Sequence, residues 1–204
     1  MAIEFKKQSY AGHFPEIWRG EAKILPGGFS PKKEIQPGTV LRRAVPLCVD
    51  FDELSEAICK TVKVLAGGTT TKPRIPKGHY FSVGDSVTKH GDYSKLVVIT
   101  GIDKSNTEYD TLTLQSAYTG LAENDVLVEG ASNGEGEKAT IAPAYEPNMI
   151  IGAEKNWDGK GLLTIDAAYD AVVLIPSLED TPMLPEWLNG VCLKNNPNIL
   201  YIKQ

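Results

Sequence analysis

Glycine and proline punctuate this chain so evenly that long helices have no room. Nineteen glycines and thirteen prolines are scattered through 204 residues, and most of the stretches they leave between breaks run to roughly ten to fifteen positions at most. Proline removes a backbone donor and clashes with the preceding helical turn, while glycine loses the most backbone entropy on ordering. Such spacing suits many short strands joined by turns. The expectation is a mainly β protein, a compact β-sandwich or barrel-like domain of short antiparallel strands with few short helices. An extended N-terminal arm precedes it.

The totals narrow the function classes. Hydrophobic residues make up 42% and charged residues 23%, ordinary values for a globular protein, and a chain this long buries about 70% of its unfolded surface without staples. The net charge of -5 lacks the basic excess of a nucleic-acid surface, so no nucleic acid is expected as a partner. No apolar run approaches the ~20 residues of a membrane span, and no membrane is expected either. The start MAIEFKKQSY lacks the apolar core of a secretory signal, which points to synthesis in a cytoplasm. Cys48, Cys59 and Cys192 show no C-x-x-C spacing and suit free, buried thiols.

Three regions follow from the texture. Residues 1–37 hold Pro15, Pro26, Pro31 and Pro37 and spaced aromatics, with no sustained period. They are expected as an arm whose rings lie on another surface, its own domain or a partner's. Residues 38–180 are expected as the β-rich core and 181–204 as a tail packing on it. Within the core, VPLCVDF reads as a strand, and DELSEAI as a helical turn through Ile58 followed by a strand to Leu65. TTTKPRIPKG reads as a loop. YFSVGDSV reads as two strands around a Gly84-Asp85 turn. LVVI (Leu96 to Ile99) reads as a strand buried on both faces, with TLTLQ pairing back onto it. ENDVLVEG reads as a further strand, LLTIDAAYDAVVLIP as two strands around Ala167-Ala168, and the tail as one or two helical turns before a last strand NILYIKQ.

The stretch IPKGHYFSVGDSVTKHGDY, residues 75–93, is the best place to look for chemistry. His79 and His90 flank Gly84-Asp85, and His-His-Asp is a legitimate metal or acid-base set. No further ligand repeats at a metal-like spacing, so the favoured reading makes both histidines loop-end surface residues. GGTTTK (Gly67 to Lys72) lacks the spacing of a phosphate loop. The acidic groups at Asp50 to Glu53, Asp103 to Asp110 and Glu129 to Glu137 lack the EF-hand pattern and are expected as solvated loops. G-x-S-x-G is absent, and Cys48 and Cys59 lie among apolar residues where a thiol is inert. No catalytic residue, metal or cofactor is expected.

The order of the pieces carries a resemblance. PGTVLRRAVPLCVD, KGHYFSVGDSV, LVVITGIDKSNTEYDTLTL and ENDVLVEG are similar to the head decoration and head-fibre proteins of tailed bacteriophages. Those pair a G-T-V-L-x-x-x-x-P-L strand with a K-G-x-x-F-x-V-G-D turn and an I-x-x-I-D…Y-D-x-L-x-L hairpin, and PNMIIG and DAVV also suit them. The likeness covers roughly residues 30–175. It implies a non-enzymatic structural protein of a phage virion or prophage, on the outer capsid surface, commonly a homotrimer. Its partners would be further copies of itself and the capsid lattice, with binding resting on buried aromatic anchors. Phe5, Tyr10, Phe14 and Trp18 are the anchor candidates of the arm, while Trp157 and Trp187 suit the core or protomer contacts. Two rivals stand beside this reading. One is a carbohydrate-binding or adhesion module using Trp157 in NWDGKG. The other is an enzyme on a small barrel, whose pocket would gather His79, His90 and Asp85.

Overall fold

The computed structural model describes residues 17–134, 139–178 and 180–203. They form β1 (Trp18–Pro31), β2 (Val40–Leu41), β3 (Pro46–Asp50), β4 (Ser55–Ile58), β5 (Thr61–Lys63), β6 (Arg74–Pro76), β7 (Ser86–Lys89), β8 (Asp92–Asp103) and β9 (Tyr109–Leu114). The series continues with β10 (Val126–Asn133), β11 (Thr140–Pro143), β12 (Met149–Ile151), β13 (Lys155–Asn156), β14 (Ile165–Leu174), β15 (Leu188–Asn189), β16 (Cys192–Leu193) and β17 (Asn196–Ile202). Helical structure among the described residues amounts to two 3-10 turns, Ile175–Leu178 and Pro185–Trp187. The protein is mainly β, as expected.

Pairing closes the strands into two rings. In the first, the order β1-β4-β3-β12-β14 returns to β1, and β17, β16 and β15 extend the sheet beyond β14. In the second, β10-β7-β8-β9-β6 run in order with β5 on the other edge of β10, and a Leu65–Arg74 bridge brings the chain after β5 back to β6. Each ring has its own filling. Leu47, Val49, Ile58, Met149, Ile151 and Ile165 pack inside the first, and Val62, Ile75, Val87, Ile99, Leu112 and Leu127 inside the second. A third cluster, with Ala168, Val173, Trp187, Ile199 and Tyr201, lies between β14 and the tail strands. β14 serves two clusters at once because strand side chains alternate: Ala167 faces one and Ala168 the other.

Several elements differ from the sequence reading. Residues 18–31 of the expected arm are β1, paired with β14 from Trp18↔Val173 to Phe29↔Ile165. The Pro26-Gly27-Gly28 step bulges this strand instead of ending it, with Gly27 and Gly28 at φ 95 and 64 and a register shift between Leu25 and Phe29. The core therefore begins well before Gly38. Residues 1–16, the rest of that arm, lie outside the described residues. The expected helical turn through Ile58 is instead β4, antiparallel to β3 with Leu47↔Ile58. The tight turn at Leu54, φ 52, sends the chain back along β3, and ladder pairing overrides the local helical pattern. TTTKPRIPKG contributes β6, Tyr80 to Val83 are not a strand, and Ile165–Leu174 is one strand, not two. In β8, Val97 and Ile99 are buried while Leu96 and Val98 are half-buried, so the run alternates. The β8–β9 hairpin forms as expected. Its turn is organised by Asn106, whose side-chain oxygen accepts from the Glu108 N–H at 2.8 Å. Residues 181–203 supply β15, β16 and β17 to the larger sheet.

Candidate functional site

The chain leaves the first ring after β4 and enters the second at β5, so Cys59 and Lys60 cross between them. The Lys60 carbonyl accepts from the Glu129 N–H at 3.0 Å, and the Glu129 carbonyl from the Ala144 N–H at 2.8 Å, which fixes both residues at this seam. Their side chains meet there. Lys60 Nζ lies 2.7 Å from Asp85 Oδ2 and 3.9 Å from Glu129 Oε2. Lys33, from the stretch after β1, donates to Glu129 and lies 3.4 Å from Asp85 Oδ1. Asp85 Oδ2 also accepts the Ser82 N–H at 2.8 Å. Two ammoniums and two carboxylates thus form a set with no net charge. Lys60, Asp85 and Glu129 are buried and Lys33 reaches solvent. Burial pushes the Glu129 carboxyl up, against the opposing pull of Lys60 and Lys33. Burial pulls Lys33 down, but its hydrogen bond to Glu129 and the charges of Glu129 and Asp85 carry it above its ordinary value.

Beside this set lies a cavity of about 30 Å³ lined in part by Glu56, Lys60, His79, Tyr80, Glu129 and Tyr145, room for roughly one water. Glu56 on β4 is fully buried, and neither carboxyl oxygen has a hydrogen-bond partner among the described residues. Burial alone pushes it up to about 7. Both oxygens are sealed from solvent, so as the chain stands the group is shut off from any substrate. His79 Nδ1 accepts the Phe81 N–H at 3.1 Å. Its Nε2 lies 3.2 Å from Asp110 Oδ2, outside hydrogen-bond geometry, while Lys77 Nζ holds Asp110 Oδ1 at 2.5 Å. Burial lowers the His79 pKa, with Asp110 pulling the other way.

His90 sits elsewhere. Its Nδ1 is 3.2 Å from both the Tyr93 hydroxyl and Glu186 Oε1, and Tyr93 donates to the same Glu186 oxygen. This contact ties the start of β8 to the 3-10 turn at Pro185–Trp187. His79, Asp85 and His90 therefore enter three separate arrangements and form no common pocket. Among the described residues no three His, Cys, Asp or Glu side chains converge as metal ligands. Two expectations are corrected. His79 is a loop residue but buried, its Nδ1 satisfied inside by the Phe81 N–H and its Nε2 facing the Asp110 carboxylate. Asp110 and Glu129, read as solvated loop acids, are 3% and 2% exposed on β9 and β10, where Lys77, Lys33 and Lys60 compensate them. The sequence reading missed Lys33, Lys60 and Glu56 altogether. The usable signal was a charge interrupting an apolar run, as in AICKTV and VLVEG.

The surface holds the other candidates. Trp18 is half-buried against the cluster between β14 and the tail, with the Arg43 guanidinium 5.7 Å from its ring centre. Phe5, Tyr10 and Phe14 lie outside the described residues. Trp157 donates through Nε1 to the Ile35 carbonyl at 3.0 Å and packs on the first ring's core. Trp187 is buried. All three cysteines are free, and burial raises the thiol pKa of Cys48 and Cys59. An apolar groove of about 690 Å³ runs over Ile175, Leu178, Met183, Leu188, Val191 and Tyr201. No helix among the described residues is long and apolar enough to cross a membrane. No family model, curated protein or solved structure matches the chain.

Proposed function

We propose that this protein is a non-enzymatic structural component of a phage virion or prophage, seated on the outer capsid surface as a head decoration or head-fibre protein. In this reading it works as a homotrimer bound to the capsid lattice, with Phe5, Tyr10, Phe14 and Trp18 as the docking anchors.

The observation that carries the reading is the use made of the buried charges. Lys60, Asp85 and Glu129 neutralise one another across the seam between the rings. In this reading the set fixes how the two rings sit together, as a particle component under mechanical stress requires. The residues behind the resemblance support it further. They fall on β2 and β3, on the turn before β7, on the β8–β9 hairpin, and on β12 and β14, so they are framework positions. The carbohydrate-binding alternative has less behind it, since the Trp157 N–H is bonded to Ile35 and its ring packs on the core.

Light scattering on a size-exclusion column tests the proposal on the full chain. A mass three times that of the 22.2 kDa chain supports it, because a closed cyclic oligomer suits a local threefold of a lattice. A monomer at every concentration overturns the trimer. Specific glycan capture on an array would move the reading to an adhesion module.

A further inference from the structure

The first described residue, Ile17, lies next to the start of the 690 Å³ apolar groove. β1 runs antiparallel to β14, with Phe29↔Ile165 at one end and Trp18↔Val173 at the other, and the Ile17 carbonyl accepts from the Leu174 N–H at 2.9 Å. Followed backward along the chain, β1 tracks β14 to its last residue. Beyond Leu174 the chain turns into the 3-10 segment Ile175–Leu178, and Ile175 and Leu178 form one wall of the groove. Ile17 thus stands beside Leu174, one residue before the groove wall begins at Ile175.

The surface and the segment also match in chemistry. Met183, Leu188, Val191 and Tyr201 complete the lining with Ile175 and Leu178, and Val191 is 51% exposed on the turn between β15 and β16. MAIEFKKQSYAGHFPE, residues 1–16, offers Phe5, Tyr10 and Phe14, rings that bury about 150–250 Å² each. A chain of that length reaches up to roughly 50 Å, ample for a groove that starts at its attachment point.

We propose that the groove over Ile175, Leu178, Met183, Leu188, Val191 and Tyr201 is the docking site of the chain's own residues 1–16, with Phe14 as the ring nearest the attachment. The occupant is the same molecule's segment, because the strand direction places it there without a reversal. This inference is independent of the virion reading. If both hold, capsid binding must compete with the groove for the same anchors.

Amide hydrogen exchange read by mass spectrometry on the full chain tests it, with a synthetic peptide of residues 1–16 as the reference for free exchange. The expected result is exchange in 1–16 slowed at least about tenfold against that peptide, and restored to the peptide's rate by Val191→Glu. Val191 is half exposed, so this substitution leaves the amides of β8 and β9 protected. Phe14→Ala, a substitution outside the described residues, should release the segment as well, while Leu162→Glu at an exposed position should leave it protected. Exchange at the peptide's rate in the parent protein overturns the proposal. So does protection that survives Val191→Glu, which would mean another surface, or protection lost on dilution, which would mean a second copy's segment.

Discussion

Lys60 Nζ sits 2.7 Å from Asp85 Oδ2, with the two side chains 8% and 6% exposed, and this pair ties the strand-to-strand crossing to the turn before β7. Removing one partner leaves the other, still buried, with only a longer contact, Glu129 at 3.9 Å for Lys60 or Lys33 at 3.4 Å for Asp85. Asp85→Ala also leaves the Ser82 N–H without its acceptor. Asp85→Ala and Lys60→Met should each cost about 3–5 kcal/mol. Denaturant unfolding followed by tryptophan fluorescence measures it, and a loss below about 1 kcal/mol in both would show that the seam does not depend on the pair.

Glu56 makes stability fall with rising pH. Its ordinary value is 4.5 and the fold raises it to about 7. Between those values the folded chain holds a proton that the unfolded chain has released, so stability drops across that window. The full effect is about 3 kcal/mol at ~1.4 kcal/mol per unit. Glu56→Gln should flatten that part of the profile and gain most above neutrality. A gain equal at about pH 5 and about pH 8 would contradict the linkage.

His79 acts with the opposite sign. Burial lowers its pKa from 6.5, so just below that value the unfolded chain binds the proton more readily. The fold should lose stability as pH falls through 6.5 toward the depressed value, and His79→Gln should remove that loss. Proton NMR of the ring hydrogens is the direct check, and a His79 midpoint above 6.5 refutes the assignment.

Gly28 lies where β1 bulges over β14. A Cβ there would sit 2.8 Å from Thr164 Cβ and 3.1 Å from the Ile165 nitrogen, at a φ of +64. Gly20 has a similar φ of +71 with no atom within 4 Å. Gly20→Ala should therefore cost only the left-handed strain, about 1–2 kcal/mol, and Gly28→Ala about 1–3 kcal/mol more. Equal melting temperatures for the two variants would rule out the close approach.

What the sequence discloses depends on how far apart the partners are. The β8–β9 hairpin was readable because its two alternating runs are separated by a short polar turn with Asn106 in it. Pro26-Gly27-Gly28 reads locally as a break, yet its bulge packs on Thr164 and Ile165, about two thirds of the chain away. DELSEAI has a helical face that only the presence of β3 cancels. The seam hides for the same reason. Lys33 and Glu129 are 96 residues apart and Lys60 and Asp85 are 25 apart, and nothing local to a lone charge in an apolar run names its counterion. Glu56 is harder still, since no counterion exists for it to be paired with among the described residues.

The second ring interrupts the first, and this sets an order of events during synthesis. Strands β5 to β10 are contiguous in the chain, whereas β3 and β4 must wait for β12 and β14 before the first ring can close. Nearby contacts form ahead of distant ones, and chains mature from the N-terminus as they emerge. The inserted ring should thus be assembled on the ribosome while β1, β3 and β4 are still incomplete. It would then present Asp85 and Glu129, with Lys60 already placed beside them, as a finished socket onto which Lys33 guides the later closure.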